Sequence, residues 1–390
     1  MLNKTPMKIL IVFGTRPEAI KLAPVIKALK DRSDQFNSLV CVTAQHREML
    51  DQVLHVFDIE PDYDLNVMKP RQDLYGMTSE ILLKLKDLLK EVHPDLMLVQ
   101  GDTTTTFVAG LAGFYQRIRV GHIEAGLRTY KKYKPFPEEI NRHLTSVVAD
   151  FHFVPTPRAK NNLLREGILD DCIYITGNTV VDALLWILKK QSIPDHRKRM
   201  EDYFSEKFGI SMGDERLILV TAHRRESFGK GFENICQALK EIVLKNADVK
   251  IVYPVHLNPN VQEPVHRMIG RMKRIHLIEP LDYEPFVFLM NQSFLILTDS
   301  GGIQEEAPSI GKPVLVMREV TERPEAVEAG TAKLVGTKVE DIVSETERLL
   351  DHAEDYRRMS DIKNPYGDGR ASERILNILA GKSDWEPFQF

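Results

Sequence analysis

Short runs of β-branched and other apolar residues alternate along the chain with longer stretches of helical periodicity. In the first half, the apolar runs predict strands at Lys8–Phe13, Leu39–Thr43, Leu96–Val99, Val120–Ile123 and Phe151–Val154, each followed by an amphipathic segment. A second series of strands is predicted at Leu217–Val220, Val249–Tyr253, His276–Ile278, Phe294–Leu297, Val314–Met317 and Lys333–Val335. This alternation is typical of right-handed βαβ units and of parallel sheets that are covered by helices on both faces.

The alternation is interrupted between Lys189 and Glu215, where charged residues dominate. We interpret the interruption as a domain boundary, and 390 residues are enough for two domains. The sequence therefore predicts an α/β protein with two Rossmann-like doubly wound domains, residues 1–188 and 189–367. Because ligands of open α/β sheets bind beyond the carboxyl ends of the strands, we expect the domains to face a central cleft that holds the functional site.

Composition narrows the possible partners and the cellular location. A formal net charge of −4 provides no basic field for a nucleic-acid backbone, so nucleic acid is not an expected partner. No apolar run approaches the length of a membrane span, and Ile9–Phe13 is too short for a signal peptide. The three widely spaced cysteines, Cys41, Cys172 and Cys236, are typical of reduced thiols. We expect a cytoplasmic protein without a membrane partner.

Two turns after predicted strands have the composition of anion-binding sites. The first motif, Gly-Thr-Arg-Pro-Glu, leaves Arg16 at a helix N-terminus, where the guanidinium and the helix dipole favour a phosphate. The second contains Ser300, Gly301 and Gly302, whose backbone amides could bind a diphosphate, while Glu306 could accept hydrogen bonds from ribose. Either turn could instead be purely structural, and neither is the Gly-x-Gly-x-x-Gly fingerprint of nicotinamide enzymes.

Carboxylates follow successive strands of the first domain: Asp102 in Gln-Gly-Asp-Thr, Glu124 in His-Ile-Glu-Ala-Gly and Glu138 in Pro-Glu-Glu. Asp102 and Glu138 could each be an ordinary acid at a helix start, but three acids at successive strand ends favour a functional role over a purely structural one. Arg142 lies four residues after Glu138, so the two could form an ion pair, or one could orient the other beside a substrate. In the second domain, His223 precedes two arginines at a strand end, which favours binding of an anion or a role in proton transfer over the structural role that is usual for a lone histidine. The histidine spacing predicts no metal site.

These motifs, in this order, resemble the bacterial non-hydrolysing UDP-N-acetylglucosamine 2-epimerases from Lys8 to about Gly336. The resemblance implies a glycosyltransferase-B-like fold whose C-terminal helix, Ala371–Ala380 within residues 368–390, returns to the first domain. It also implies a homodimer that uses a UDP-sugar substrate and no cofactor. The chain departs from the family pattern at Gln100, where valine or histidine is common.

The resemblance also assigns roles residue by residue. The catalytic set is Asp102, Glu124, Glu138 and His223. The substrate contacts are Arg16, Lys21, Arg142, Phe286, Ser300, Gly301, Gly302 and Glu306, with Phe286 beside the uracil unless it is a core aromatic. Gln45, His46, Arg71, Gln72 and His256 match the region where bacterial members bind a second UDP-N-acetylglucosamine as an allosteric activator.

The chemistry of the sugar favours one mechanism. The C2 hydrogen of UDP-N-acetylglucosamine is not acidic, so without a nicotinamide fingerprint, inversion is expected to proceed by elimination of UDP and its re-addition to 2-acetamidoglucal. Several carboxylates suit this route because deprotonation and reprotonation occur on opposite faces of C2. The alternatives are a glycosyltransferase of the same fold, a hydrolysing epimerase, a 2-epimerase for a diacetamido UDP-sugar, and a non-catalytic nucleotide-sugar sensor.

Overall fold

The computed structural model describes residues 5–43, 47–69, 72–383 and 385–390. The chain divides into two compact units: unit 1 comprises residues 1–183 and 366–389, and unit 2 comprises residues 184–365 and 390. The first division falls after Ala183, whereas the sequence pattern predicts a boundary after residue 188. In the described ranges, no helix combines the length and the apolar character that a membrane crossing requires.

The described residues of unit 1 form a seven-stranded parallel sheet in the order β3-β2-β1-β4-β5-β6-β7. Its strands are β1 (Met7–Phe13), β2 (Phe36–Val42), β3 (Tyr63–Asp64), β4 (Leu96–Gln100), β5 (Arg119–Ile123), β6 (Phe151–Val154) and β7 (Ile173–Ile175). The five strands predicted here are confirmed with small shifts at their ends. The pattern missed β3 and β7, because two or three residues are too few to display a period.

Helices follow the strands of unit 1 in the alternation that the sequence predicts. They are α1 (Arg16–Asp31), α2 (Arg47–Val56), α3 (Leu74–Val92), α4 (Thr104–Tyr115), α5 (Glu138–Val148), α6 (Pro157–Arg165) and α7 (Thr179–Gln191), with a 3-10 turn at Asp170–Cys172. The division between the two units falls within α7. Apolar residues of β1 and β4, such as Leu10, Val12 and Val99, pack with Leu85 of α3 and Val108 of α4 in a buried core.

Unit 2 repeats this architecture with a six-stranded parallel sheet in the order β10-β9-β8-β11-β12-β13. Its strands are β8 (Arg216–Thr221), β9 (Val249–Pro254), β10 (Ile275–Ile278), β11 (Leu295–Thr298), β12 (Val314–Val316) and β13 (Ala332–Leu334). Its helices are α8 (Pro194–Phe208), α9 (Lys230–Lys245), α10 (Pro259–Ile269), α11 (Tyr283–Gln292), α12 (Gly301–Glu306), α13 (Pro324–Ala329), α14 (Val339–Asp351) and α15 (Ala353–Ser360), with 3-10 turns at Arg225–Ser227 and Ala307–Ile310. The second series of predicted strands is therefore confirmed.

The charged segment between Lys189 and Glu215 contains α8, a helix that the pattern did not predict. Only Met200 and Phe204 of α8 are buried, which leaves too few apolar positions to show a helical stripe. Near the C-terminus, α16 (Ala371–Leu379) packs against α1, and the Arg32 guanidinium donates a 2.7 Å hydrogen bond to Asn377 Oδ1.

Strand order reverses once in each sheet, between β1 and β4 in unit 1 and between β8 and β11 in unit 2. At such a point the chain leaves neighbouring strands in opposite directions, which opens a crevice beyond their carboxyl ends. In unit 1 the crevice is bordered by the segments that contain Arg16 and Asp102. In unit 2 it is bordered by the segments that contain His223 and Ser300.

Candidate active site

Glu124 is a buried carboxylate with several polar contacts at the carboxyl edge of the unit 1 sheet. It directly follows β5 with a φ of 64°, a conformation that turns the chain sharply, and only 4% of its side chain is exposed. Its Oε1 atom forms an ion pair with Lys21 and accepts a 3.1 Å hydrogen bond from Asn178. Its Oε2 atom accepts from the Gln100 amide at 3.0 Å. Two cationic neighbours and two amides stabilise the ionised carboxylate.

Arg142 connects Glu124 to Asp102. One guanidinium nitrogen lies 2.5 Å from Asp102 Oδ2 and 3.4 Å from Glu124 Oε2, and the other donates to the backbone carbonyl of Glu124. Arg142 reaches both acids from α5, and its side chain is 6% exposed, compared with 31% for Asp102. The guanidinium therefore holds two carboxylates in one place and leaves Asp102 the more accessible of the two.

Glu138 and Glu139 begin α5 with opposite surroundings. In the described part of the chain, Glu138 Oε2 is buried without a hydrogen-bond partner. The Glu139 carboxylate accepts from the backbone amides of Thr129 and Tyr130 at 3.0 and 2.7 Å. Burial would raise the pKa of Glu139, but these hydrogen bonds outweigh burial and hold the pKa below its usual value. Glu139 thus anchors the loop before α5, whereas Glu138 offers an oxygen to a ligand.

His122 fixes the backbone next to Asp102. Its Nε2 atom donates to the Gly101 carbonyl at 2.7 Å, and burial lowers the pKa of this imidazole well below its usual value. The ring is therefore neutral near pH 7. Gly101 has a φ of 77°, in the left-handed region that glycine tolerates best, and this turn directs the chain from β4 toward Asp102.

In unit 2, His223 and His256 are in contact, although the resemblance assigns them to different sites. Their rings stack with centroids 5.5 Å apart. The buried Asp299 carboxylate accepts from the His223 and Arg224 amides at 2.6 and 2.7 Å, and its other oxygen lies 3.4 Å from His223 Nδ1. Burial lowers the pKa of His223, and the Asp299 charge opposes that effect. Asp299 therefore fixes the loop that presents the imidazole.

The second anion-binding turn begins α12. Ser300 is its N-cap and Gly301 its first residue, so the amides of the first turn lack partners within the helix. Glu306, at the end of α12, is buried and accepts a 2.8 Å hydrogen bond from the Tyr283 hydroxyl of α11. Phe286 also lies on α11 and is half-buried, so it is not a fully enclosed core aromatic.

The remaining allosteric candidates are only partly described. Gln45, His46 and Arg71 lie outside the described residues. Gln72 donates to Glu80 Oε2 at 3.3 Å and lines a surface groove of 710 Å³ together with Lys69, Ser79 and Lys84. Among the residues that the structure describes, no group of three or more His, Cys, Asp or Glu side chains is arranged to hold a metal ion.

The structure adds contacts that the sequence pattern did not indicate. Gln100, the departure from the family pattern, and Asn178 both donate to the Glu124 carboxylate. Gln100 could have been suspected because it ends β4 beside the Asp102 turn. Asn178 follows the short strand β7, which the pattern missed, so no signal placed it at the same edge of the sheet.

Comparison with known proteins agrees with this architecture. A family model described as UDP-N-acetylglucosamine 2-epimerase matches residues 27–380. The UDP-N-acetylglucosamine 2-epimerase of Salmonella typhimurium is 58% identical over 96% of this chain and 98% of that protein. The crystal structure of the Neisseria meningitidis 2-epimerase bound to UDP-N-acetylglucosamine is 54% identical with a TM-score of 0.88, covering 96% of this chain and 100% of that one. A Methanocaldococcus jannaschii 2-epimerase complex with UDP-N-acetylglucosamine and UDP is 35% identical with a TM-score of 0.79, covering 96% and 100%. The chain therefore belongs to the UDP-N-acetylglucosamine 2-epimerase family.

Proposed function

We propose that this protein interconverts UDP-N-acetylglucosamine and UDP-N-acetylmannosamine by eliminating UDP and adding it back. The carboxylate cluster of Asp102 and Glu124 around Arg142 carries the proposal, together with Glu138 at the start of the same helix and the family match. In the elimination, the C2 proton passes to a carboxylate, the C1–O bond breaks, and UDP leaves with the bonding electrons. The product is 2-acetamidoglucal. Protonation of the opposite face of C2 and re-addition of UDP at C1 yield the epimer, so the net reaction requires no redox cofactor.

The contacts support different roles for the three acids. Asp102 and Glu138 exchange protons with C2, because Asp102 is partly exposed and Glu138 has a buried oxygen without a hydrogen-bond partner in the described chain. Glu124 orients Arg142 and Lys21, since its two oxygens already receive a cation and an amide each.

The diphosphate and nucleoside are assigned to the remaining residues. We assign the diphosphate to Arg16 at the start of α1 and to the Ser300, Gly301 and Gly302 amides at the start of α12, because each helix N-terminus favours negative charge. Glu306 accepts from ribose, and Phe286 packs beside the uracil. The negative charge of the departing phosphate favours the protonated form of the His223 imidazole, which then donates a hydrogen bond to that phosphate.

The decisive experiment is to incubate the purified, metal-stripped protein with UDP-N-acetylglucosamine in heavy water and to follow C2 by NMR. We expect UDP-N-acetylmannosamine with deuterium at C2 and slow release of 2-acetamidoglucal and UDP, because the intermediate is held only by non-covalent contacts. Inversion with the C2 hydrogen fully retained would contradict elimination. A failure to form any new UDP-sugar would refute the epimerase activity and favour the glycosyltransferase alternative.

We also propose that UDP-N-acetylglucosamine activates the enzyme at a second site that includes Gln45, His46, Arg71, Gln72 and His256. A surface groove beside Gln72, where Lys69 and Lys84 pair with Glu80, supports a binding site in this region. UDP-N-acetylmannosamine alone should then react slowly until a trace of UDP-N-acetylglucosamine is added, because the two sites share a favourable coupling free energy. A reverse reaction without a lag and without activation would exclude this site.

A homodimer is supported by exposed apolar side chains on three helices of unit 1. The neighbouring helices α3, α4 and α5 expose large apolar side chains, including Leu83, Phe114, Tyr115 and Val147, the last of them 77% exposed. We expect this surface to pair with a second copy, because monomeric proteins rarely expose large apolar patches. Sedimentation should show a dimer that dissociates on F114D/V147D. Substitution of the exposed Leu244 on α9 is the control. A variant that stays dimeric would exclude this surface, and a monomeric wild type would exclude the dimer.

The thiols support a cytoplasmic location. Cys41 and Cys236 are buried and unpaired, and burial raises the pKa of each to about 12, so both remain protonated. Cell fractionation should recover the protein with the cytoplasmic markers. Recovery in an oxidising compartment would contradict the assignment.

A further inference from the structure

The buried carboxylate of Glu18 joins two turns at the reversal point of the unit 1 sheet. Its Oε2 atom accepts from the backbone amides of Gly14 and Thr15 at 3.1 and 2.8 Å, and from the Thr15 hydroxyl at 2.7 Å. Its Oε1 atom accepts from the Thr103 and Thr106 hydroxyls at 2.7 and 3.0 Å. Glu18 therefore connects the first turn of α1 to the first turn of α4.

Both turns are adjacent to residues of the proposed reaction. Arg16 follows Thr15 directly, and Lys21 lies further along α1. On the other side, Asp102 immediately precedes Thr103, the N-cap of α4. The position of α1 relative to the Asp102 turn consequently depends on a side chain that is only 1% exposed.

The link continues to Glu124. The Thr106 hydroxyl also lies 2.6 Å from the backbone carbonyl of Gln100, and the side chain of Gln100 donates to Glu124. A single hydroxyl proton cannot serve the Glu18 carboxylate and the Gln100 carbonyl fully at the same time, so Thr106 shares it between them. Glu18 is thereby linked to the Asp102 turn through Thr103 and to Glu124 through Thr106 and Gln100.

We propose that Glu18 is a positioning residue of the epimerisation, which holds Arg16 and Lys21 at a fixed distance from Asp102. This role rests on the proposed epimerase activity. Glu18 acts through the two turns and does not touch the substrate itself. Burial raises the pKa of Glu18 above its usual value, whereas the hydrogen bonds that its oxygens accept favour the ionised form.

A capping residue that only stabilises the fold would have a different signature. Asp182 is the matched case, because it is also a buried acid of unit 1 and also accepts two backbone amides at a helix start, those of Ala371 and Ser372, the first two residues of α16. Removing either carboxylate should lower the melting temperature. Only the loss of Glu18 should also lower kcat, since misplacing a reacting group by about 1 Å can cost about 100-fold in rate.

The experiment compares E18A, E18Q and D182A with the wild type by thermal unfolding and by the conversion of UDP-N-acetylglucosamine. We expect E18A to fold and to lose about 100-fold in kcat with only a few-fold change in KM. E18Q should keep kcat within about fivefold, because its amide oxygen can accept from Gly14 and Thr15 while its amide nitrogen donates to the threonine hydroxyls. D182A should lose thermal stability and keep kcat.

Each outcome has a defined meaning. A folded E18A with kcat close to wild type, or a loss in E18Q as large as in E18A, would overturn the positioning role. If E18A does not fold, T103V/T106V removes the same link from α4 and leaves the α1 cap intact. A drop in its kcat of tenfold or more supports the proposal, and an unchanged kcat overturns it. A wild type without epimerase activity would refute the proposed function instead.

Discussion

Replacing Arg142 by lysine tests whether one guanidinium must hold two acids. Arg142 contacts Asp102 Oδ2 at 2.5 Å and Glu124 Oε2 at 3.4 Å, and it also donates to the Glu124 carbonyl. Lysine keeps the positive charge, but its single terminal nitrogen cannot reproduce the planar fork that spans these acceptors. In R142K we therefore expect one of the two carboxylates to lose its cationic partner.

The contacts that R142K removes determine how large the loss of activity should be. A hydrogen bond to a charged group contributes about 1.5–3 kcal/mol, and R142K should lose about one of them. If the same contact orients the acids during proton transfer, a loss of that size lowers kcat by roughly 10- to 150-fold. R142M leaves the Glu124 carboxylate, 4% exposed, without this partner, and breaking a buried ion pair typically costs about 3–5 kcal/mol of unfolding free energy.

The assay follows kcat and KM for UDP-N-acetylglucosamine by NMR and unfolding by urea titration. R128K is the matched control, because Arg128 makes a comparable two-pronged pair, at 2.8 and 2.7 Å, with Glu166, an acid outside the proposed catalytic set. R128K should lower stability and leave kcat nearly unchanged. Our reasoning is refuted if R142K retains kcat within threefold of wild type or if R128K loses as much activity as R142K.

Three further predictions concern single groups. D102N should abolish turnover while calorimetry finds nearly unchanged UDP affinity, because the amide keeps the shape and loses the proton-transfer capacity; near-normal turnover would remove Asp102 from catalysis. R16A should weaken UDP binding by roughly 10- to 150-fold, the equivalent of ~1.5–3 kcal/mol, and unchanged affinity would contradict its assignment. Burial raises the pKa of Asp182 from its usual value near 4 to about 6. Between these two pH values the folded protein binds a proton at Asp182 that the unfolded chain has released, so the free energy of unfolding should decrease as the pH rises from about 4 to 6. D182N should remove that decline from the pH profile of unfolding; an unaltered profile would show that Asp182 does not titrate in this range.

The alternation of apolar runs was sufficient to predict eleven strands and the doubly wound class, because buried parallel strands are almost continuously apolar. The same reasoning failed for β3, β7 and α8. The two strands are only two and three residues long, and α8 buries only Met200 and Phe204. A segment with so little buried surface takes its structure from its neighbours, and its own sequence carries no clear period.

The candidate active site was likewise predicted only in part from the sequence. The strand-end rule located Arg16, Asp102 and Glu124 at one edge of a sheet from the sequence alone, because parallel strands all present their carboxyl ends on the same side. The roles given to Gln45, His46 and Arg71 stay predictions, since these residues lie outside the described chain. The spacing of Glu138 and Arg142 left an ion pair between them open, and the structure directs the Arg142 guanidinium to Asp102 and Glu124.

Sequence alone thus determined which chemical groups stand at the strand ends, since hydrophobic periodicity and turn composition are local properties. Only the tertiary structure decided which of them touch. The contacts of Glu124 with Lys21, Gln100, Arg142 and Asn178 join residues that lie 18 to 103 positions from it along the chain. Such contacts depend on strand order, helix direction and the rotamers of long side chains, and none of these is encoded in the spacing of any single motif.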